Sequence, residues 1–483
     1  MDRAIAPRPF PFHHEVVDGS WTVDNIPLRF PNESLEHRPI HVEDGVINID
    51  IRRNPFNYAI DPPLNTLTNI LRQHRTYPLS ITISWKAVAL SSSCWAPPPW
   101  KKPIGPDICA DSIEPLKRHI DVLIYHIARW KDLRIFCPLV PYFSENFSRI
   151  APDASPRLES IVLMDIENSA EIKGLTNILR ATTKYINTGT LLLIDNRDRN
   201  MPNVAPDPFP FSVIKDFPFL PPFGSWLTSL RVDYQLSSID AWSLLMRINH
   251  LTDCVFNGLT GTGLVRGDIV PAMCGSLRYL KLSNYDGDLA NFKTQTSVCS
   301  LLKNILTPRL KKLVLKGEDK WDSEAFADFI LRSSCALDSL HIINMGINPN
   351  ELVSCLELAG DSLRDLLLEQ KHEEVQSRRY FWTAHFLKHF TYQDPRRHDR
   401  YRPCLCPKLN VISIGDLSLG GSGNFGFALH TRVKVTPLAE VRILATDTAR
   451  RGTNIQAKDV KELQELTKRG VRVVLTRDPC DGL

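Results

Sequence analysis

No uninterrupted apolar stretch in the 483 residues approaches the roughly 18 that a bilayer-spanning helix needs. The start, Met1-Asp2-Arg3 followed by Pro7, Pro9, Pro11 and the pair His13-His14, lacks the apolar centre of a secretory signal. Cysteine occurs eleven times, an odd count, with no CxxC pair and a single CxC at Cys404 and Cys406, so there is no disulfide framework. These absences point to a reducing compartment, cytosol or nucleus, with no membrane partner. Neither sign of charge dominates: 58 Lys and Arg against 54 Asp and Glu leave +4, too little over this length to imply nucleic acid by itself. There is no GxxxxGK[ST] loop and no GxSxG elbow, so a nucleotide-driven switch and a serine hydrolase both lack their motifs.

What is present is a chain of ordinary globular composition, 43% hydrophobic and 23% charged, which excludes wholesale disorder, collagen and coiled coil. Its length exceeds what one hydrophobic core organises, so several domains or an elongated repeat must account for it. Proline is abundant, at 35 residues, and clusters at 97–106 and 202–222, where fixed φ and missing N–H donors break regular structure. Apolar pattern resumes directly on both sides of each cluster, so these read as surface excursions.

The informative signal is a recurring hexad, apolar-x-x-apolar-x-apolar. It appears at Trp130/Leu133/Ile135, Leu158/Ile161/Leu163, Leu227/Leu230/Val232, Leu251/Cys254/Phe256, Leu277/Leu280/Leu282, Leu310/Leu313/Leu315, Leu337/Leu340/Ile342, Leu363/Leu366/Leu368, Leu409/Ile412/Ile414 and Leu438/Val441/Ile443. Each instance is one short strand with alternate residues buried. From 227 to 363 the starts differ by 24, 26, 33, 27 and 26 residues, near the period of leucine-rich repeats. A 69-residue gap after Leu158 hides a degenerate copy around Thr188/Leu191/Leu193.

Helical stripes lie between the strands: Ile113, Leu116, Ile120, Leu123, Ile127; Ser323 to Arg332 with Phe326, Phe329 and Ile330; a helix after Asn348 with Pro349 first; and Asp459 to Lys468 ending at Gly470. Strand then helix at this period predicts an α/β leucine-rich-repeat-like solenoid over 61–483, a curved parallel sheet with helices on its convex side and irregular turns. The asparagine expected after the hexad is replaced by Tyr285, Met345 and Lys371. Residues 1–60 read as irregular. Two unrelated α/β domains are the rival reading.

Four local strings, 67–72 with 78–81, 127–133, 329–340 and 405–409, together resemble the F-box/leucine-rich-repeat-like proteins of mushroom-forming fungi. Leu67-Thr68-Asn69-Ile70-Leu71-Arg72 leading to Pro78-Leu79-Ser80-Ile81 looks like the family's helix and PLS-type strand. Ile127 to Leu133 looks like its RW-x-x-L entry, Phe329 to Leu340 like its F-L-x-R-S-x-C-x-L-x-x-L repeat, and Leu405-Cys406-Pro407-Lys408-Leu409 like its LCP-x-L string. The resemblance covers about residue 20 to the end. It implies a substrate-choosing subunit that docks a Skp-type adaptor and cullin through an F-box, and that module is not visible upstream of Ser20-Trp21-Thr22-Val23.

Other candidate chemistry is thin. Gly421, Gly423 and Gly426 fit GxGxxG, which can let a backbone approach a pyrophosphate; without a clear βαβ unit it reads instead as a loop closing a repeat. His385 and His389 lie four apart on a helix read over Trp382–Phe390, with no third metal ligand marked. Cys404 and Cys406 would point apart if extended. The basic, aromatic segment 371–402 suits phosphate contact with base stacking, giving nucleic-acid or phosphopeptide binding as an alternative function.

What remains is the surface of the repeats. Residues between the buried hexad positions would line the concave face, among them Arg134, Ser229, Arg231, Tyr279, Lys281, Lys312, Lys316, Ser339, His341, Asp365, Glu369 and Arg442. The partner-binding set expected there is Arg231, Tyr279, Lys281, Lys312, Lys316, His341 and Glu369, with Lys281, Lys312, Lys316 and His341 as a solvated basic stripe for acidic or phosphorylated protein. The expected function is therefore non-enzymatic protein recognition, with no catalytic residue, metal ligand or cofactor.

Overall fold

The computed structural model describes residues 39–53, 60–84, 110–150, 158–164, 189–194, 227–260, 270–284, 297–317, 321–369, 384–391, 404–415, 424–445 and 457–477. The excursions at 97–106 and 202–222, Gly421, Gly423 and nearly all of 371–402 lie outside them.

The chain is α/β, built on a large, mostly parallel sheet of 17 strands among the described residues. Its first strands are β1 (Ile40–Glu43), β2 (Val46–Arg53), β3 (Ile60–Asp61), β4 (Leu79–Ser84), β5 (Trp130–Phe136), β6 (Ser160–Met164), β7 (Gly189–Ile194), β8 (Leu227–Val232) and β9 (Leu236–Ser237). There follow β10 (Asp253–Thr260), β11 (Ala272–Met273), β12 (Tyr279–Asn284), β13 (Ile305–Leu306), β14 (Lys312–Lys316), β15 (Ser339–Ile343) and β16 (Asp365–Glu369). The last are β17 (Val411–Gly415), β18 (Glu440–Ala445) and β19 (Arg472–Arg477). From β2 onward each long strand lies parallel to the long strand before it in sequence. β11 and β13 pair separately.

Register puts one hexad position in a single row: Leu133, Ile161, Leu191, Leu230, Cys254, Leu280, Leu313, Leu340, Leu366, Ile412, Val441 and Val473 are successive partners. Leu191 and Leu193, the degenerate copy, take their places in β7 and are buried. These side chains pack with helix residues in one continuous core, each burial of leucine size contributing about 1.5–3 kcal/mol.

The helices, numbered among the described residues, are α1 (Leu64–Gln73), α2 (Ala110–Tyr125), α3 (Val140–Ser148), α4 (Ser238–Arg247), α5 (Ser297–Leu302), α6 (Ser323–Ser333), α7 (Pro349–Ala359), α8 (Ala384–Phe390), α9 (Phe425–Arg432) and α10 (Ala457–Lys468). Their ends follow local chemistry. Asp322 caps α6 by accepting from the Ala325 N–H, and Asn348 opens α7 in a capping box with Glu351, Pro349 coming first. Gly470, at φ +89°, lets the chain turn after α10 into β19. Ile113, Leu116, Ile120 and Leu123 of α2 are all buried, as their spacing predicts.

One expectation needs correction. Residues 1–60 are not irregular throughout: β1 and β2 form an antiparallel hairpin over Asp44-Gly45, both at positive φ, and β2 joins β4 in parallel. The reason is the alternation Ile47, Ile49, Ile51, whose side chains are buried in the core. Asparagine is absent at Tyr285, Met345 and Lys371 as read, but in the first two of these repeats one stands a position earlier. Asn284 and Asn344 flank Gly317, which sits at φ +140° with room for no Cβ because the Asn284 side chain lies against it.

Candidate recognition surface

Because side chains alternate along a strand, the positions between buried hexad residues all face away from the helix-packed core. Strand pairing then assembles them into rows. The middle row runs Asp50, Thr82, Arg134, Val162, Leu192, Arg231, Val255, Lys281, Val314, His341, Leu367, Ser413, Arg442 and Val474. Tyr279, Lys312, Ser339 and Asp365 form part of a second row, and Ser283, Lys316, Ile343 and Glu369 part of a third. The expected contact residues therefore share one face.

Their burial differs from expectation. Lys281 is 7% exposed, His341 5% and Glu369 2%, so these three are not solvated. Arg231, Tyr279, Lys312 and Lys316 are half-buried. A solvated stripe of four cations does not exist; the middle of the face is closed and the accessible positions lie around it. The cause is apolar company that a polar inventory overlooks. Val314, Ile343 and Leu367 form a small buried cluster of their own, with Tyr279 packed against it. Val162, Leu192 and Val255 are buried on the same face. The signal was in the sequence as runs apolar at every position, Ile161-Val162-Leu163, Leu191-Leu192-Leu193, Leu313-Val314-Leu315 and Leu366-Leu367-Leu368, which mark strands buried on both faces.

Polar groups beside this cluster are held in place. The Ser339 hydroxyl donates to Asp365 Oδ2 at 2.8 Å, and His341 Nε2 lies 3.0 Å from the same oxygen and 3.1 Å from Ser339 Oγ. Serine, histidine and aspartate thus meet, but not as a nucleophile relay. Both partners converge on Nε2, whereas a relay needs the carboxylate on the other ring nitrogen, and the buried Nδ1 has no partner among the described residues. The Lys312 ammonium stands 5.5 Å from the centre of the Tyr279 ring. Arg231 donates to Asp233, which also accepts from Asn257 at 2.6 Å, and Arg442 donates to Glu440 at 2.6 Å. Toward β2, β4 and β5 the face is polar and half-buried, with Asp50, Arg52, Thr82, Asp132 and Arg134.

Burial pushes the Asp365 carboxyl up, but the His341 and Ser339 contacts and the nearby Lys312 charge outweigh it and leave it below the ordinary carboxylate range. A depressed folded-state value stabilises the fold above the unfolded pKa of about 3.9 and is lost as pH falls through the folded value. Urea unfolding between pH 6 and 3 should therefore show a loss of stability at the acid end that Asp365→Asn reduces; an unchanged profile would separate Asp365 from acid sensitivity.

The remaining candidates are placed as follows. Gly426 lies in α9, packed so closely on α10 that a Cβ would come 2.6 Å from that of Glu462. Its N–H donates to the buried carboxylate of Asp459 at 2.8 Å, so the donor of the glycine motif is occupied by the protein's own acid. Glycine there serves close helix contact. Phe386 and Phe390 of α8 stack in the core, and the His389 ring is half-buried.

Two residues apart, Cys404 and Cys406 would share one face of an extended strand rather than point apart as expected; the segment is not extended here, Cys406 adopting φ +52°. Both surround Arg432, which sequence reading missed. This fully buried side chain donates to the carbonyls of Phe390, Leu405 and Cys406 and to Cys404 Sγ, with its guanidinium 4.1 Å over the Phe390 ring. Burial pushes the Cys406 and Cys274 thiols up to about 12 and Cys335 to about 11, so all three are protonated at neutral pH. Among the described residues no helix is long and apolar enough to cross a membrane.

Comparison of the chain with protein-family models and with curated proteins gave no match in either case.

Proposed function

We propose that this protein is a non-enzymatic recognition module, a leucine-rich-repeat-like solenoid whose non-helical face is concave and grips another protein. The observation that carries it is the register: side chains more than 200 residues apart in sequence stand in continuous rows on one face. Such rows offer a partner segment many aligned contacts without a single deep pocket. The contact set that fits the observed burial is Arg134, Arg231, Tyr279, Lys312, Lys316 and Arg442, while Lys281, His341 and Glu369 brace them from beneath. Half-buried cations beside an apolar band favour a partner segment that alternates apolar and acidic residues.

The resemblance to F-box/leucine-rich-repeat-like proteins supports a narrower reading, substrate choice for a cullin-type ubiquitin ligase in cytoplasm or nucleus. Adaptor docking through an F-box would be required for that role. Both readings are testable by affinity capture followed by mass spectrometry. Lys312→Glu with Lys316→Glu should deplete specific captured proteins by at least about fivefold, and a Skp-type adaptor should be recovered with wild type and double variant alike. Unchanged captured proteins would remove the cationic rim from the site; failure to recover the adaptor with full-length protein would remove the ligase role alone. Nucleic-acid binding through 371–402 and nucleotide chemistry at 421–426 rest on sequence composition and motif alone.

A further inference from the structure

The helix side of the molecule carries a second feature that the proposed recognition face does not use. Between α6 and α7 lies a groove of about 380 Å³. Its apolar lining includes Phe326 and Leu358, the latter 42% exposed, and its rim carries Glu324, Glu351 and Ser354. Trp321 also lines it, 4% exposed, its ring 5.3 Å from that of Phe326. Among the described residues the buried Trp321 indole N–H has no acceptor. Glu324 makes no side-chain hydrogen bond or ion pair with any described residue. Glu351 uses Oε2 to accept from the Asn348 N–H at 2.9 Å, which leaves Oε1 available.

Charge decides what fits. Each helix N-terminus contributes roughly half a positive charge, and two carboxylates outweigh both ends together. Asp322, the α6 cap, is already neutralised by Lys303 at 2.7 Å. The groove is therefore anionic at its rim and apolar along its floor. We propose that it binds an arginine side chain of a partner polypeptide: the guanidinium spans Glu324 and Glu351, and its methylenes lie on the exposed side chain of Leu358. A planar guanidinium suits two carboxylates better than an ammonium does.

The test is titration of the full chain with N-acetyl-Leu-Arg-Leu-Leu-amide, followed by isothermal calorimetry, against the same peptide with glutamate in place of arginine. Saturable binding of the arginine peptide is expected, with the glutamate peptide at least about fivefold weaker. Glu324→Lys should weaken the arginine peptide about fivefold, Ser354→Trp should block the groove, and Lys312→Glu on the opposite face should leave binding unchanged. Circular dichroism verifies that each variant is folded. Absence of saturable binding, equal binding of both peptides, or full binding by Glu324→Lys overturns the proposal. Because Lys312 serves the recognition face alone, failure here leaves that reading standing, and the reverse holds as well.

Discussion

Replacing Arg432 with methionine is expected to lower stability by about 3 kcal/mol, seen as a shift of the urea unfolding midpoint to lower concentration. The guanidinium ties three parts of the chain together: the end of α8 through the Phe390 carbonyl, the loop before β17 through Leu405 and Cys406, and the end of α9 where it originates. Methionine fills similar space but leaves three buried carbonyls without these donors. The Cys406 carbonyl keeps the Leu409 N–H and the Phe390 carbonyl keeps the Cys404 thiol, so among the described residues only the Leu405 carbonyl loses its donor outright. An orphaned acceptor costs about 1–3 kcal/mol and the other lost charge-assisted bonds add to it, partly offset because the buried charge no longer has to be desolvated. Arg432→Lys distinguishes charge from geometry. A point-like ammonium cannot reach all three carbonyls, so lysine should recover less than half of the loss. Full recovery by lysine would mean that charge, not the planar fork, is what the site requires.

Leu340→Ala should lower stability by about 2–5 kcal/mol. Leu340 is fully buried at the centre of the aligned hexad row, between Leu313 and Leu366. The cavity cannot collapse easily, because its neighbours on both sides are held by strand pairing. Lys312→Ala, one strand away on the other face, should change stability by no more than about 0.5 kcal/mol. Circular dichroism and urea unfolding of both variants provide the comparison. Equal losses would mean that the two faces are not energetically distinct.

The ladder of strands was legible because the hexad combines two simple constraints, alternation along a strand and a fixed three-residue offset to the turn. Even the weak copy at Leu191 and Leu193 follows from the gap that demanded it. Helix starts at Asp322 and Asn348 were equally readable, since capping is local chemistry. Burial on the face opposite the helices was not. Lys281 and Glu369 look like solvated strand residues when polar positions are considered singly, and their burial depends on neighbours contributed by other strands of the sheet. The apolar triplets around Val314 and Leu367 held that information. Arg432 left no sequence signal, since a lone arginine near a helix end usually reaches water, and its partners lie 26 to 42 residues away. The hairpin of β1 and β2 was hidden by the proline-rich surroundings, although Ile47, Ile49 and Ile51 alternate plainly.

The most direct measurement is photo-crosslinking from a benzoylphenylalanine placed at Tyr279, on the recognition face, and separately at Leu331 on α6. Both side chains are accessible enough to report, Leu331 being 64% exposed and Tyr279 half-buried. With the partners recovered by affinity capture, the account predicts a discrete adduct to another polypeptide from position 279, lost when Lys312→Glu and Lys316→Glu are added, and a different pattern from position 331. No adduct from position 279, or the same adducts from both positions, would contradict it.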